Sequence, residues 1–168
     1  MLVTTPTSTS MPLHPPFITL PLPDATAWAD AFERLDIPVL EATAATIEEW
    51  RPIEAAVDAH MLSESIDADP LMTLKLLRHV ASRRSARATA DAETVTAAMV
   101  LLGITPFFRA FSDLLTVEQR LSPYPAALAG LRAVIQRSHR SAQFALGFAV
   151  HRMDPDAPVI HGAALLHD

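Results

Sequence analysis

Cysteine is absent from the 168 residues, which rules out disulfides, thiolate metal sites and cysteine nucleophiles and fits a reducing compartment. Any bound metal would therefore be held by nitrogen and oxygen. Glycine occurs only four times and never in a cluster, so no glycine-rich loop is available to cradle a phosphate. No apolar run reaches the roughly eighteen residues of a membrane span. The opening Met1-Leu-Val-Thr-Thr-Pro-Thr-Ser-Thr-Ser lacks the basic start and continuous apolar core of a secretory signal. These absences predict a cytoplasmic protein that does not associate with membranes. Basic residues are outnumbered by acidic ones, 13 against 19, for a formal charge of −6. That balance disfavours broad nucleic-acid binding, because phosphate contacts need a basic surface.

Apolar residues are plentiful. They make up 50% of the chain, enough at this length for one domain with a sizeable core. Seven of the 14 prolines fall by residue 38. Residues 1–23 are accordingly expected to form an extended, proline-rich leader, since proline removes a backbone donor and turns its predecessor away from helix. Residues 24–168 read as helical throughout, with no sustained alternation of the kind a strand needs. The prediction is an all-α bundle of about seven to eight helices without a sheet.

Local signals place those helices. Asp24 can cap a first helix whose apolar face is Trp28, Ala31, Phe32 and Leu35. A second starts near Pro38 and carries Leu40, Ala44 and Ile47. A third opens at Pro52 and runs to about Ile66 through Ile53, Ala56, Val57 and Met61. Asp69-Pro70 caps a fourth, with Leu71, Leu74, Leu77 and Val80 inward. Thr94 or Asp91 opens a fifth, closed by a left-handed Gly103. Thr105-Pro106 starts a sixth through Phe107, Phe108, Phe111, Leu114 and Leu115, which Ser122-Pro-Tyr-Pro125 breaks, with one ring expected to remain for a partner surface. A long helix from about Ala126 to Arg152 buries Leu128, Leu131, Ile135, Ala142, Leu146 and Ala149. After a turn at Asp154-Pro-Asp-Ala-Pro158, the segment Val159 to Asp168 begins one more helix.

The candidate chemistry lies at the C-terminal end. His139 in the long helix, with the adjacent pair His167-Asp168, supplies imidazole and carboxylate donors suited to a divalent cation such as zinc, manganese or iron. A fourth ligand, an aspartate from a later helix, has no position left, and the chain is expected to be truncated at its C-terminus. His161 lies about 120° from His167 on an ideal helix, as His151 does from His139. These two, with His14, His60 and His79, are read as bland. Glu48-Glu49 and Asp67-x-Asp69 lie beside helix boundaries, where capping and solvation explain them. Ser138, Ser141 and His139 lack a third group to orient the imidazole as a nucleophilic arrangement would require. Lys75, Arg78, Arg83, Arg84 and Arg87 form a basic run without an acid, read as a solvated helix end and its loop.

Three ordered stretches resemble the HDOD family, the signalling relatives of the HD and HD-GYP metal-dependent phosphohydrolases. Glu64-Ser-Ile-Asp-Ala-Asp-Pro-Leu-Met-Thr-Leu-Lys-Leu-Leu-Arg-His-Val-Ala-Ser82 is similar to the family's Asp-Pro-led helix, with Ala81 where an asparagine is usual. Thr94-Val-Thr-Ala-Ala-Met-Val-Leu-Leu-Gly103 is similar to its helix ending in Leu-Gly. The third stretch joins Ser138-His-Arg-Ser-Ala-Gln-Phe-Ala to Gly162-Ala-Ala-Leu-Leu-His-Asp168. The resemblance covers about residues 37–168. It implies an all-helical HD-like domain of bacterial signal transduction that acts through a protein partner, without catalysis and without an obligatory cofactor. His139, His167 and Asp168 would then be a vestigial metal site, and a homodimer is among the assemblies open to the chain. Two alternatives remain. One is a phosphohydrolase of nucleotides or cyclic dinucleotides, with Asp154 or a second chain supplying the missing donor. The other is a nucleotide-sensing domain without turnover.

Overall fold

The computed structural model describes residues 20–83 and 92–167. It divides into two compact units at Asp36–Ile37. In the first, α1 (Ala25–Arg34) starts where Asp24 accepts from Ala27 N at 2.8 Å. Trp28 and Phe32 stack one turn apart with ring centroids at 5.9 Å. No residue of α1 is buried. Residues 1–19 of the expected leader lie outside the described residues.

The second unit holds α2 (Glu41–Trp50), a 3-10 helix (Arg51–Ala56), α3 (Ala59–Asp67), α4 (Pro70–Ser82), α5 (Val95–Leu102), α6 (Ile104–Ala110), α7 (Val117–Leu121), α8 (Pro125–His151) and α9 (Ala157–Leu165). The all-α architecture is as the sequence predicts, with nine α-helices and no strand longer than an isolated bridge among the described residues. The ninth arises because the expected sixth helix is two. α6 stops at Ala110, Asp113 takes a positive φ of 52°, and a Thr116–Gln119 capping box starts α7 afresh.

The core joins Val39, Ile47, Leu62, Ile66, Met72, Leu76, Val95, Met99, Phe107, Phe108 and Phe111, all nearly inaccessible to solvent. Its lead-in segment, Ile37–Glu41, is fixed at almost every backbone polar group. Val39 N donates to Leu115 O (2.9 Å) and Val39 O accepts from Val117 N (2.8 Å), a single parallel bridge. Lys75 Nζ donates to Ile37 O at 2.8 Å. Leu40 N donates to Asp69 Oδ2 (2.8 Å) and Glu41 N to Glu118 Oε2 (3.0 Å). The bridge occupies the residues after Pro38, so α2 begins at Glu41 rather than near the proline.

Several expected faces are corrected. The third helix is broken: Ile53, with φ −113° and ψ 25°, interrupts the 3-10 turn, and Val57 is extended. Asp58 then caps α3 by accepting from Met61 N at 2.8 Å. Ile53 and Met61, expected inward, are exposed, and Leu62, Ser63 and Ile66 face the core instead. In α4 the buried residues are Pro70, Met72, Thr73, Lys75 and Leu76, while Leu74 is exposed. With Asp69 buried as the N-cap, Pro70, Met72 and Thr73 of the first turn face inward. Lys75 thereby leaves the expected solvated run and becomes a buried donor; Arg84 and Arg87 of that run lie outside the described residues. Gly103, not Thr105, caps α6. Its φ of 81° with ψ 157° is an extended mirror conformation open essentially to glycine alone, rather than the left-handed helical one expected. Phe107, Phe108 and Phe111 are all buried, so no ring is left for a partner there.

Candidate functional site

α8 and α9 form the most extensively paired helices of the molecule. α8 carries no Asp or Glu in its 27 residues, and Pro125 in its first turn suits a position whose N–H has no intrahelical partner. Its buried edge is Ile135, Ser138, Ala142 and Ala149. The chain reverses where Met153 adopts a positive φ of 54°. Asp154 Oδ1 accepts from Asp156 N at 3.0 Å within the turn, so the carboxylate considered as an additional metal donor helps to shape the reversal. α9 begins at Ala157, two residues earlier than expected, and ends at Leu165.

That ending changes the geometry of the histidines. His167 lies beyond the last helical residue and is exposed, so the helical relation expected between His161 and His167 does not apply. His139 is half-buried on α8. Asp168 lies outside the described residues. Among the described residues no three His, Asp or Glu side chains gather as a ligand group for a metal. Ser138 is buried and its Oγ donates back to Val134 O at 3.3 Å, a local bond that agrees with a structural serine.

Two titratable groups are perturbed near this end of the fold and at the core's edge. Burial pushes the half-buried Asp67 carboxyl above its ordinary value, and the charge of His161 on α9 partly opposes the shift. His79 moves the other way. Burial holds its imidazole below the usual value, with the charges of Arg83 and Arg78 adding to the effect. Its ring stands 5.1 Å from that of Phe111 at an interplanar angle of 57°, and its buried Nε2 has no hydrogen-bond partner among the described residues. His79 is thus a core-edge residue. His60 is a surface residue, 3.5 Å from the exposed Glu64 carboxylate.

The paired carboxylates resolve into structure. Asp69 is fully buried and accepts from Leu71 N (2.9 Å) and Met72 N (3.1 Å) besides Leu40 N; capping explains it, and solvation does not. Glu48 holds Arg51 through contacts of 2.6 and 2.9 Å, and that hydrogen bond holds the Glu48 carboxyl below its usual value. Arg51 also donates to Phe108 O and to Phe111 O, tying off the C-terminus of α6, and its guanidinium lies 5.7 Å from the Phe108 ring centroid.

Sequence reasoning missed a surface feature of α8. Phe144 and Phe148 are 80% and 68% exposed, although both are large and apolar. The signal was available in their four-residue spacing, which puts both rings away from Ile135, Ala142 and Ala149. In comparisons with known proteins, the chain matches no family model, no curated protein and no solved structure. No helix among the described residues is long and apolar enough to cross a membrane.

Proposed function

We propose that the chain is an HDOD-like regulatory module of bacterial signal transduction that works in the cytoplasm through contact with a protein partner, without catalysis. The observation that carries this reading is the exposure of large apolar side chains on otherwise well-formed helices: Val100 and Leu101 on α5 at 70% and 65%, Phe144 and Phe148 on α8, and Met153 beyond it at 89%. Scattered apolar exposure needs no explanation, but aromatic side chains this open on a packed scaffold are the usual anchors of a partner surface. Support also comes from the ordered motifs. The Asp69-Pro70 stretch forms α4 with its buried cap, the Thr94–Gly103 stretch forms α5, and the two histidine stretches fall on and just after the α8–α9 pair.

The test is metal content and turnover together. Wild-type protein, His139→Ala and His167→Ala are dialysed, analysed for zinc, manganese and iron, and assayed with nucleotide and cyclic-dinucleotide phosphodiesters. The expected outcome is no turnover that depends on these histidines. Stoichiometric metal lost in both variants, together with phosphodiester hydrolysis lost in both, would replace this reading by the phosphohydrolase one.

A further inference from the structure

We infer that the outward face of α8 is a docking surface for an acidic amphipathic helix of another protein. The inference rests on the protein-contact reading above and names the surface and the chemistry of what it takes. Phe144 lies about 140–180° round the helix from the buried Ile135, Ala142 and Ala149, so the helix that pairs with α9 through one side turns aromatic surface to solvent on the other. Phe148 and Arg140 each lie about 40° from Phe144 on an ideal helix, and His151 about 20°. The rings are one turn apart, about 6 Å along the axis, a spacing that apolar residues four apart on a crossing helix can fill. Gly147 flanks Phe144 about 60° round the helix, and a carbon placed on it would meet nothing within 4 Å among the described residues, so a partner backbone can approach closely on that side.

Charge selects the occupant. On the side of Phe144, α8 carries Arg137, Arg140 and His151 with no acid of its own, within a chain of formal charge −6, while Arg132 and His139 lie about 120–140° round the helix. Arg132 is engaged by Glu118 of α7 at 3.5 Å, but Arg140, exposed and one turn before Phe144, faces the same way as the rings. A short acidic helix feels this local basic strip within the Debye length of roughly 8–10 Å, beyond which charge is largely screened. An extended anionic membrane would face the negative charge of the whole molecule as well, which favours the peptide.

The test selects random helix-length peptides displayed on phage against the full chain, then measures binding of the recovered peptides by fluorescence anisotropy. The variants are the exposed double substitution Phe144→Ala/Phe148→Ala and, separately, Arg140→Glu, both checked for native helicity. The expected recovered peptides are rich in Asp and Glu with apolar residues four apart. They bind at least tenfold more weakly to the double variant and several-fold more weakly to R140E, and they lose affinity as salt rises. Recovery of no binding peptide, of neutral or basic peptides, or of acidic peptides indifferent to the double variant would overturn the proposal. So would a wild-type dimer that F144A/F148A converts to monomer in sedimentation, or phosphatidylserine vesicles bound through the two rings without any peptide. Acidic peptides bound elsewhere would overturn this surface yet leave the protein-contact reading standing. Phosphodiester hydrolysis by the metal-loaded protein beside intact peptide binding would do the reverse.

Discussion

Asp69 does three things with one carboxylate. Oδ1 accepts from the N–H groups of Leu71 and Met72 at the start of α4, and Oδ2 accepts from Leu40 N, 29 positions earlier in the chain. Removing a cap costs about 0.5–2 kcal/mol, and leaving a backbone N–H buried without an acceptor adds about 1–3. Asp69→Ala should therefore destabilise the protein by about 2–4 kcal/mol, read from urea unfolding midpoints. Asp69→Asn keeps one acceptor oxygen for the α4 cap but turns an amide donor toward Leu40 N or the reverse, so it should fall between wild type and alanine. Equal stability of all three would refute this account of the lead-in segment.

His79 and Asp67 give pH dependence of opposite sign. The folded state holds the His79 imidazole below its ordinary 6.5, because burial disfavours the charged ring and Arg83 and Arg78 repel its charge. Its contribution to stability is thus complete above pH 6.5 and is lost as the pH falls through that value toward the folded one. Asp67 is held above its ordinary 3.8 by burial, so the folded protein retains its proton longer than the unfolded chain. Its contribution is greatest below pH 3.8 and is lost as the pH rises through the folded value. His79→Leu should flatten the acid limb of the stability profile below pH 6.5, and Asp67→Asn should raise stability at neutral pH with little effect below 3.8. Unfolding free energies across a pH series check both; an acid limb unchanged in His79→Leu would remove His79 from the explanation.

At the scale of elements, Arg51 joins α2, the 3-10 helix and the end of α6. Its fork reaches Glu48 on one side and the carbonyls of Phe108 and Phe111 on the other. A flexible ammonium cannot reproduce that planar arrangement, so Arg51→Lys should lose nearly as much stability as Arg51→Ala, about 2–3 kcal/mol from hydrogen bonds of a charged group. Full retention in the lysine variant would show that charge alone matters. The sequence made α1, α4, α5 and α8 legible because Asp24, Asp69-Pro70, Thr94 and the break at Ser122-Pro-Tyr-Pro125 are local signals. It could not reveal the Arg51 clamp or the Lys75–Ile37 bond, whose partners are 57, 60 and 38 positions away. The break at Val57 was hidden for a related reason. The apolar period of Ile53, Val57 and Met61 mimics a continuous helix, while the burial of Leu62 and Ile66 sets a different face for α3. Of the candidate site, the place of His139 on the long helix was legible, whereas His167, expected within the last helix, lies past its end at Leu165. The burial that raises the Asp67 carboxyl, and the opposing charge of His161, were not legible, since the two residues lie far apart in the chain.

The whole second unit has an uneven interior. Its contiguous core is built from α2 to α6 with Val39, whereas the buried residues of α8 and α9 are few, and apart from Ile135 and Leu165 they are small: Ser138, Ala142, Ala149 and Ala157. Leu165, 1% exposed, is among the largest fully buried side chains of the molecule and stands outside that contiguous core. Truncating a buried leucine to alanine costs about 2–5 kcal/mol, depending on how far the site can collapse. Here α9 has one neighbour that dominates its packing, so the loss should fall first on the α8–α9 pair. Leu165→Ala is expected to reduce amide-exchange protection along α8 and α9 by more than along α4 and α5, which open only with the contiguous core. A uniform loss of protection across all four helices would show that the pair and the core unfold as one cooperative body. A selective loss would mean that α8 can yield locally while its outward Phe144 and Phe148 remain presented on a folded scaffold, and a partner seated on those rings would then restore the lost protection by binding the closed state alone.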